Sequence, residues 1–129
     1  MLWFITTTRT TRVNTFTITH THHDRAEIVH LNGYLDAHTA SQFERDLRVI
    51  IEQGATHVIV DFEHLDYISS AGLGVFMVFI EDIRKQGGDI LLAAMRDNVF
   101  SVFDLLGFQV LFRIFPTVDE AMAALSNNA

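Results

Sequence analysis

Residues 58–74 read VIVDFEHLDYISSAGLG, and the reading of this stretch decides the architecture. Val58-Ile59-Val60 is a continuous apolar run, the pattern of a strand buried on both faces. A polar connection is expected from Asp61 to Asp66. Tyr67-Ile68-Ser69-Ser70-Ala71-Gly72-Leu73-Gly74 then leads into an apolar helical pattern through Phe76, Met77, Ile80 and Ile83. The expected order is buried strand, loop, helix start. Ser69 and Ser70 stand where a helix N-cap belongs, and hydroxyls there accept from the free N–H groups of the first turn. Ala71 and Gly72 add little bulk. The junction predicts a small, polar, exposed site at which the helix dipole favours negative charge.

The flanking chain supplies alternating strands and helices. Val13 to Thr19 alternates, with Phe16 and Ile18 on one face and threonines on the other. His20 to Asp24 reads as a polar turn and Ala26 to Leu31 as the return strand, which Gly33 is expected to break, so the chain opens with a hairpin. Thr39-Ala40-Ser41-Gln42 has the form of a capping box, followed by Ala40, Phe43, Leu47, Ile50 and Ile51 at helical spacing, with Gly54 as the stop. After the helix from Ser70, which ends near Gly87-Gly88, come a strand at Ile90–Ala93 and a short helix capped by Asp97 and ended by Gly107. A strand at Val110–Phe115 is next. The final helix is introduced by a second capping box, Thr117 to Glu120, with Met122 and Leu125 facing inward. The order β-β-α-β-α-β-α-β-α implies βαβ units, hence a mostly parallel sheet opened by an antiparallel hairpin, with about four helices in one α/β domain.

Two blocks carry a family resemblance. Ile68 to Gly74 resembles the phosphorylation loop of bacterial STAS-domain anti-sigma-factor antagonists. Gly33-Tyr34-Leu35-Asp36-Ala37-His38-Thr39-Ala40 resembles the G-x-L-D-x-x-T-A block of that family, and the Gly87-Gly88-Asp89 turn and the run Phe103 to Phe108 agree. The resemblance spans roughly Val13 to Leu125, giving a STAS domain over residues 13–129 and an extension over residues 1–12. It implies a non-enzymatic regulator. Unphosphorylated, such a protein binds an anti-sigma-factor serine kinase; phosphorylation ends the contact, and a PP2C-type phosphatase restores it. ATP belongs to the kinase, so no cofactor is expected here. The implied phosphoacceptor is Ser70, with Ser69 as second choice, because the aspartate that precedes the acceptor in the family is replaced by Ser69. The implied partner surface is Asp36, Ser69, Ser70, Ala71, Gly72 and Leu73. Three other uses stay open: a docking subunit of a membrane lipid or anion transport assembly, a nucleotide-binding STAS module, and a partner switch with an output other than a sigma factor.

Composition narrows the classes. A chain of 129 residues suits one domain. With 16 acidic against 9 basic residues, nucleic-acid binding is not expected, since phosphate contacts need clustered Lys and Arg. No apolar run approaches the roughly 20 residues of a membrane span, so direct membrane insertion is not expected. Cysteine is absent, which removes disulfides, thiolate metal sites and a Cys nucleophile, and fits a cytoplasmic protein.

Other candidate chemistry is sparse. His20, His22, His23 and Asp24 are competent metal ligands but lack helical H-x-x-x-H spacing, so no structural metal is expected. His30, His38, His57 and His64 are scattered. Asp36, Asp61, Glu63 and Asp66 could converge at strand ends, where paired carboxylates do acid–base work or hold a cation. There is no G-x-S-x-G elbow, no P-loop and no G-x-G-x-x-G. Leu2-Trp3-Phe4-Ile5 is an apolar cluster outside the resemblance, expected to be dispensable for the domain and able to drive weak self-association.

Overall fold

The computed structural model describes residues 16–24 and 26–127. Strand β1 (Phe16–His23) turns at Asp24 into β2 (Ala26–Leu35), followed by α1 (Ala40–Glu52), β3 (His57–Ile68) and α2 (Ser70–Lys85). Then come β4 (Asp89–Ala93), α3 (Asp97–Leu105), β5 (Arg113–Phe115) and α4 (Val118–Asn127). The sheet order is β1-β2-β3-β4-β5, antiparallel between β1 and β2 and parallel elsewhere, so the expected mixed sheet with four helices is what forms.

Helices α1, α2 and α3 cover one face. Phe43, Phe76 and Phe103 from these helices meet Phe62 of β3 and Phe112, and Phe76 is the hub, its ring 5.2 to 6.4 Å from the other four. Burial of each such ring is worth about 1.5–3 kcal/mol, so this cluster fixes α2 against the sheet. On the opposite face, Ala121 and Leu125 of α4 pack on Ala26, Ile28, Ile59, Leu91 and Ala93. Val58, Val60 and Ile59 are thus buried from both sides, which explains their continuous apolar run.

Several local expectations are corrected. The polar loop at Asp61–Asp66 is strand: β3 runs on to Ile68 and passes directly into Ser69. Register shifts in its pairing with β2 put Phe62, Leu65 and Ile68 inward at intervals of three, so no alternation marks the strand in the sequence. His20, His22 and His23 are not in a turn but pair across β1 with Val29, Glu27 and Ala26. Gly33 does not end β2; it sits within it at φ 98° beside one of these shifts. The last strand is only Arg113–Phe115, preceded by a 3-10 turn at Phe108–Val110. Met77, expected on the inner face of α2, is exposed, and Phe79 is buried in its place.

The helix starts divide. Glu120 N–H donates to Thr117 Oγ1 as expected for a cap (3.1 Å). Thr39 instead donates its hydroxyl to Tyr34 O (2.8 Å) and accepts from Asp36 N–H (2.9 Å), so the turn before α1 replaces the capping box. Asp97 is the first residue of α3 rather than its cap. The expected end of α1 at Gly54 holds, with Gly54 N–H donating to Ile51 O. Val13 to Thr15 and the Leu2–Ile5 cluster lie outside the described residues.

The turn from α2 to β4 depends on contact between backbones. A Cβ on Gly88 would lie 1.7 Å from Thr56 O, whereas one on Gly74, inside α2, meets nothing within 4 Å. Gly88→Ala is expected to destabilise the fold by about 1–3 kcal/mol or more. Gly74→Ala should stabilise it by about 0.5–1 kcal/mol. Urea denaturation of both variants checks the pair; equal midpoints would contradict the packing at Gly88.

Candidate functional site

The site lies at the carboxyl end of β2 and β3. Strand β4 pairs with β3 only from His57 to Asp61, leaving Phe62–Ile68 as an overhang held on one side by β2. On its other side, Arg96 donates to Glu63 O (3.2 Å) and pairs with Asp66, while Asn98 donates to Asp66 O (2.8 Å). At its tip, Ser69 N–H donates to Leu35 O (2.9 Å), which ties the junction to the residue before Asp36. Arg96 and Asn98 were not legible as site-positioning residues, because no spacing rule links them to a strand some thirty residues earlier.

Ser69 is the N-cap of α2, with extended backbone, and its Oγ accepts from Gly72 N–H at a long 3.5 Å. Ser70 and Ala71 follow as the first helical residues and are exposed. Ser70 makes no side-chain hydrogen bond among the described residues, so its hydroxyl is presented rather than activated by a neighbouring base. Asp36 is half-buried; its Oδ1 accepts from His38 N–H (2.9 Å) and Thr39 N–H (3.2 Å), which shapes the turn into α1. The expected neighbours Asp36, Ser69, Ser70 and Ala71 are therefore brought to one edge.

Gly72 and Leu73 differ from expectation. Leu73 is fully buried in the core and presents nothing to a partner. Gly72 is also buried: a Cβ there would lie 2.7 Å from the Leu35 side chain and 3.0 Å from Leu35 O. The glycine lets the first turn of α2 sit on the end of β2, so its small size serves packing. The sequence signal that could have shown this is the helical spacing of Leu73, Phe76 and Ile80, which places Leu73 on the core face. Sequence spacing does not mark an exposed aromatic pair, Tyr34 and Tyr67, whose ring centroids lie 6.0 Å apart near the ends of β2 and β3.

The four carboxylates do not converge. Asp61 is buried and accepts from His30 Nδ1 (2.8 Å) and Glu63 N–H (3.0 Å), Asp66 pairs with Arg96, and Asp36 serves its own turn. Among the described residues, no group of three or more His, Asp or Glu side chains is arranged to hold a metal ion. His20 and His22 instead share Glu27, at 2.6 and 2.9 Å. Burial alone would raise the Glu27 carboxyl, but hydrogen bonds and charge from the two imidazoles outweigh it and hold the group below its ordinary range.

Among the described residues, no helix is long and apolar enough to cross a membrane. Residues 17–121 match the STAS domain family. BtrV of Bordetella bronchiseptica, named as a candidate anti-sigma factor antagonist, is 33% identical over 94 residues, covering 73% of this chain and 81% of its own. The anti-sigma F factor antagonist of Paenibacillus polymyxa is 29% identical over 106 residues, 81% of this chain and 88% of its own. The anti-sigma factor antagonist SpoIIAA in its unphosphorylated form superposes with a TM-score of 0.74 at 25% identity, over 86% of this chain and 97% of that one. The phosphorylated form of SpoIIAA from Bacillus superposes at 0.66 and 24% identity, over 84% of this chain and 99% of that one.

Two outcomes follow from the geometry. Gly72→Val should lower the unfolding free energy by about 1–3 kcal/mol through overpacking against Leu35, read by denaturant titration; unchanged stability would contradict the close approach. Relative to Glu27→Gln, the native chain should gain about 1 kcal/mol, small because both imidazoles are exposed. Because the folded-state value is the lower one, that gain is complete above the ordinary glutamate range. It is lost as pH falls through the folded-state value. Melting temperatures of both chains across the acid range test the sign.

Proposed function

The chain belongs to the STAS domain family, and from that membership we propose that it acts as an anti-sigma-factor antagonist in a partner switch. The single observation that carries the reading is the exposed Ser70 residue at the first position of a 16-residue helix, at the end of β3 where Ser69 N–H is tied to Leu35 O, the residue before Asp36. In this reading residues 13–129 are the switch domain and residues 1–12 an extension. The unphosphorylated edge, Asp36 with Ser69, Ser70 and Ala71, docks on an anti-sigma-factor serine kinase in the cytoplasm. The kinase brings ATP and transfers a phosphate to Ser70, and a PP2C-type phosphatase removes it. The chain itself is substrate and ligand, not enzyme.

Physical chemistry supports the switch. A phosphoserine carries about −1.5 to −2 charges and three acceptor oxygens. At the start of α2 the peptide N–H groups and the helix dipole tolerate that charge, so the fold loses little. A partner seated on the same edge meets both the added bulk and a charge it was not shaped for. The names of the relatives and the two phosphorylation forms of SpoIIAA support the same reading.

The test is phosphate mapping. Incubation with the kinase partner and ATP should add one phosphate, located on Ser70 by mass spectrometry. Ser70→Ala should abolish the transfer, and its melting temperature should stay near that of the native chain, since Ser69 is the cap. Ser69→Ala should keep the transfer while costing about 0.5–2 kcal/mol, toward the low end given the long cap bond. Phosphate found on Ser69 would move the acceptor by one residue. Phosphate on neither serine would overturn the kinase switch and favour a docking subunit of a membrane assembly.

A further inference from the structure

The ends of β2 and β3 carry two large side chains that the core does not use. Leu35 and Ile68, paired in register, turn into the core with α1, α2 and α3. Tyr34 and Tyr67, the pair before them, therefore fall on the other face of the sheet. Helix α4 packs on that face at Ala26, Ile28 and Ile59, earlier in the same strands. Ile28 lies about 20 Å of strand before Tyr34. The two tyrosines are left 40% and 44% exposed, with ring centroids 6.0 Å apart and planes inclined at 36°. Tyr34 is also fixed relative to the switch edge. Its carbonyl accepts from the Thr39 hydroxyl (2.8 Å), and the same hydroxyl oxygen accepts from Asp36 N–H (2.9 Å).

The surrounding charge selects what these rings would meet. Asp36 follows β2, Glu63 and Asp66 lie in β3 just before Tyr67, and Asp97 opens α3. The cation that these segments bring, Arg96, is paired with Asp66 and donates to Glu63 O. Arg84, Lys85 and Arg113 lie where α2 ends and β5 begins, at the opposite end of the sheet. Arginine–ring contacts do occur in this chain, but on phenylalanine: Arg48, Arg84 and Arg113 lie over Phe79, Phe112 and Phe115. Among the described residues, no cation lies over Tyr34 or Tyr67. An exposed π surface in an acidic setting, with no cation of its own, is complementary to a cation from outside.

We propose that Tyr34 and Tyr67 form an aromatic seat for an arginine of the kinase partner, whose guanidinium lies over the two rings beside Asp36. This rests on the partner-switch reading of the edge given above. Arginine suits the seat better than lysine, because its planar, weakly hydrated cation stacks on ring faces. Tyrosines and arginines are the side chains that carry most binding energy at interfaces. The seat lies one residue before Leu35 and one before Ile68, so a partner held there is aligned with both segments of the edge. It is separate from the phosphoacceptor, and it sets which partner docks rather than whether the switch is on.

The experiment has two arms. In the first, the native chain is titrated with N-acetyl-arginine amide and followed by NMR, with no kinase present. The ring resonances of Tyr34 and Tyr67 should shift saturably. They should shift less with N-acetyl-lysine amide and not at all with the uncharged N-acetyl-citrulline amide. No shift, or the same shift with citrulline, overturns the proposal. In the second arm, calorimetry compares kinase binding by the native chain and two double variants. Tyr34→Leu/Tyr67→Leu keeps apolar bulk but removes the ring faces, and should bind about tenfold more weakly. Tyr34→Phe/Tyr67→Phe keeps the faces and should bind within about twofold of native. Equal binding by the leucine variant overturns the proposal. Equal losses in both variants overturn it too, and assign the contact to the phenol hydroxyls. A kinase that does not bind the native chain overturns the partner-switch reading instead, and the amide titration still decides whether the rings seat a guanidinium.

Discussion

The hydrogen bond from Ser69 N–H to Leu35 O is the constraint on which the functional edge depends. It closes the end of the β2–β3 ladder after β4 has stopped pairing. Without it, the ladder between β2 and β3 would end at Leu35 and Ile68 with the start of α2 untied from β2. With it, the last residue before α2 is fixed to the residue before Asp36, and the two segments of the edge become one surface. Arg96 and Asn98 secure the opposite side of the overhang through its backbone carbonyls and Asp66. Buried backbone groups need partners, and here the partners also set where a hydroxyl points.

Packing fixes where the start of α2 sits behind the edge. Phe76 locks α2 into a ring cluster with Phe43, Phe62, Phe103 and Phe112, and Leu73 is buried one turn earlier. Gly72 lets that first turn rest directly on Leu35. Ser70 and Ala71 are left outside because the residues on either side of them, Ile68 before and Gly72 after, face the core. In the proposed switch, a hydroxyl on such a platform gains a phosphate without asking the core to move, and the effect falls on the docked partner.

Much of this was legible from residue types alone. The run Val58-Ile59-Val60, the spacing of Phe43, Leu47 and Ile50, and the stop at Gly54 led to the observed elements because each burial pattern follows a single period. The serine cap was legible because the cap chemistry is local. Legibility failed where pairing overrides period. The β3 overhang buries Phe62, Leu65 and Ile68 through register shifts, and its exposed Glu63, His64 and Asp66 resemble a loop. The histidines of β1 resemble a turn for the same reason: on an edge strand, ladder hydrogen bonds hold polar residues that sequence composition assigns to connections. The inward turn of Gly72 and Leu73 was missed because the same few residues carry the motif and the packing.

In the proposed switch, the edge at Asp36, Ser69, Ser70 and Ala71 is a single contact surface whose affinity is governed by one phosphate. Calorimetric titration of the kinase partner with the chain, carrying either serine or phosphoserine at position 70, measures that directly. The serine form is expected to bind tightly and the phosphoserine form at least about tenfold more weakly, equivalent to about 1.4 kcal/mol. Equal affinity for the two forms would contradict it.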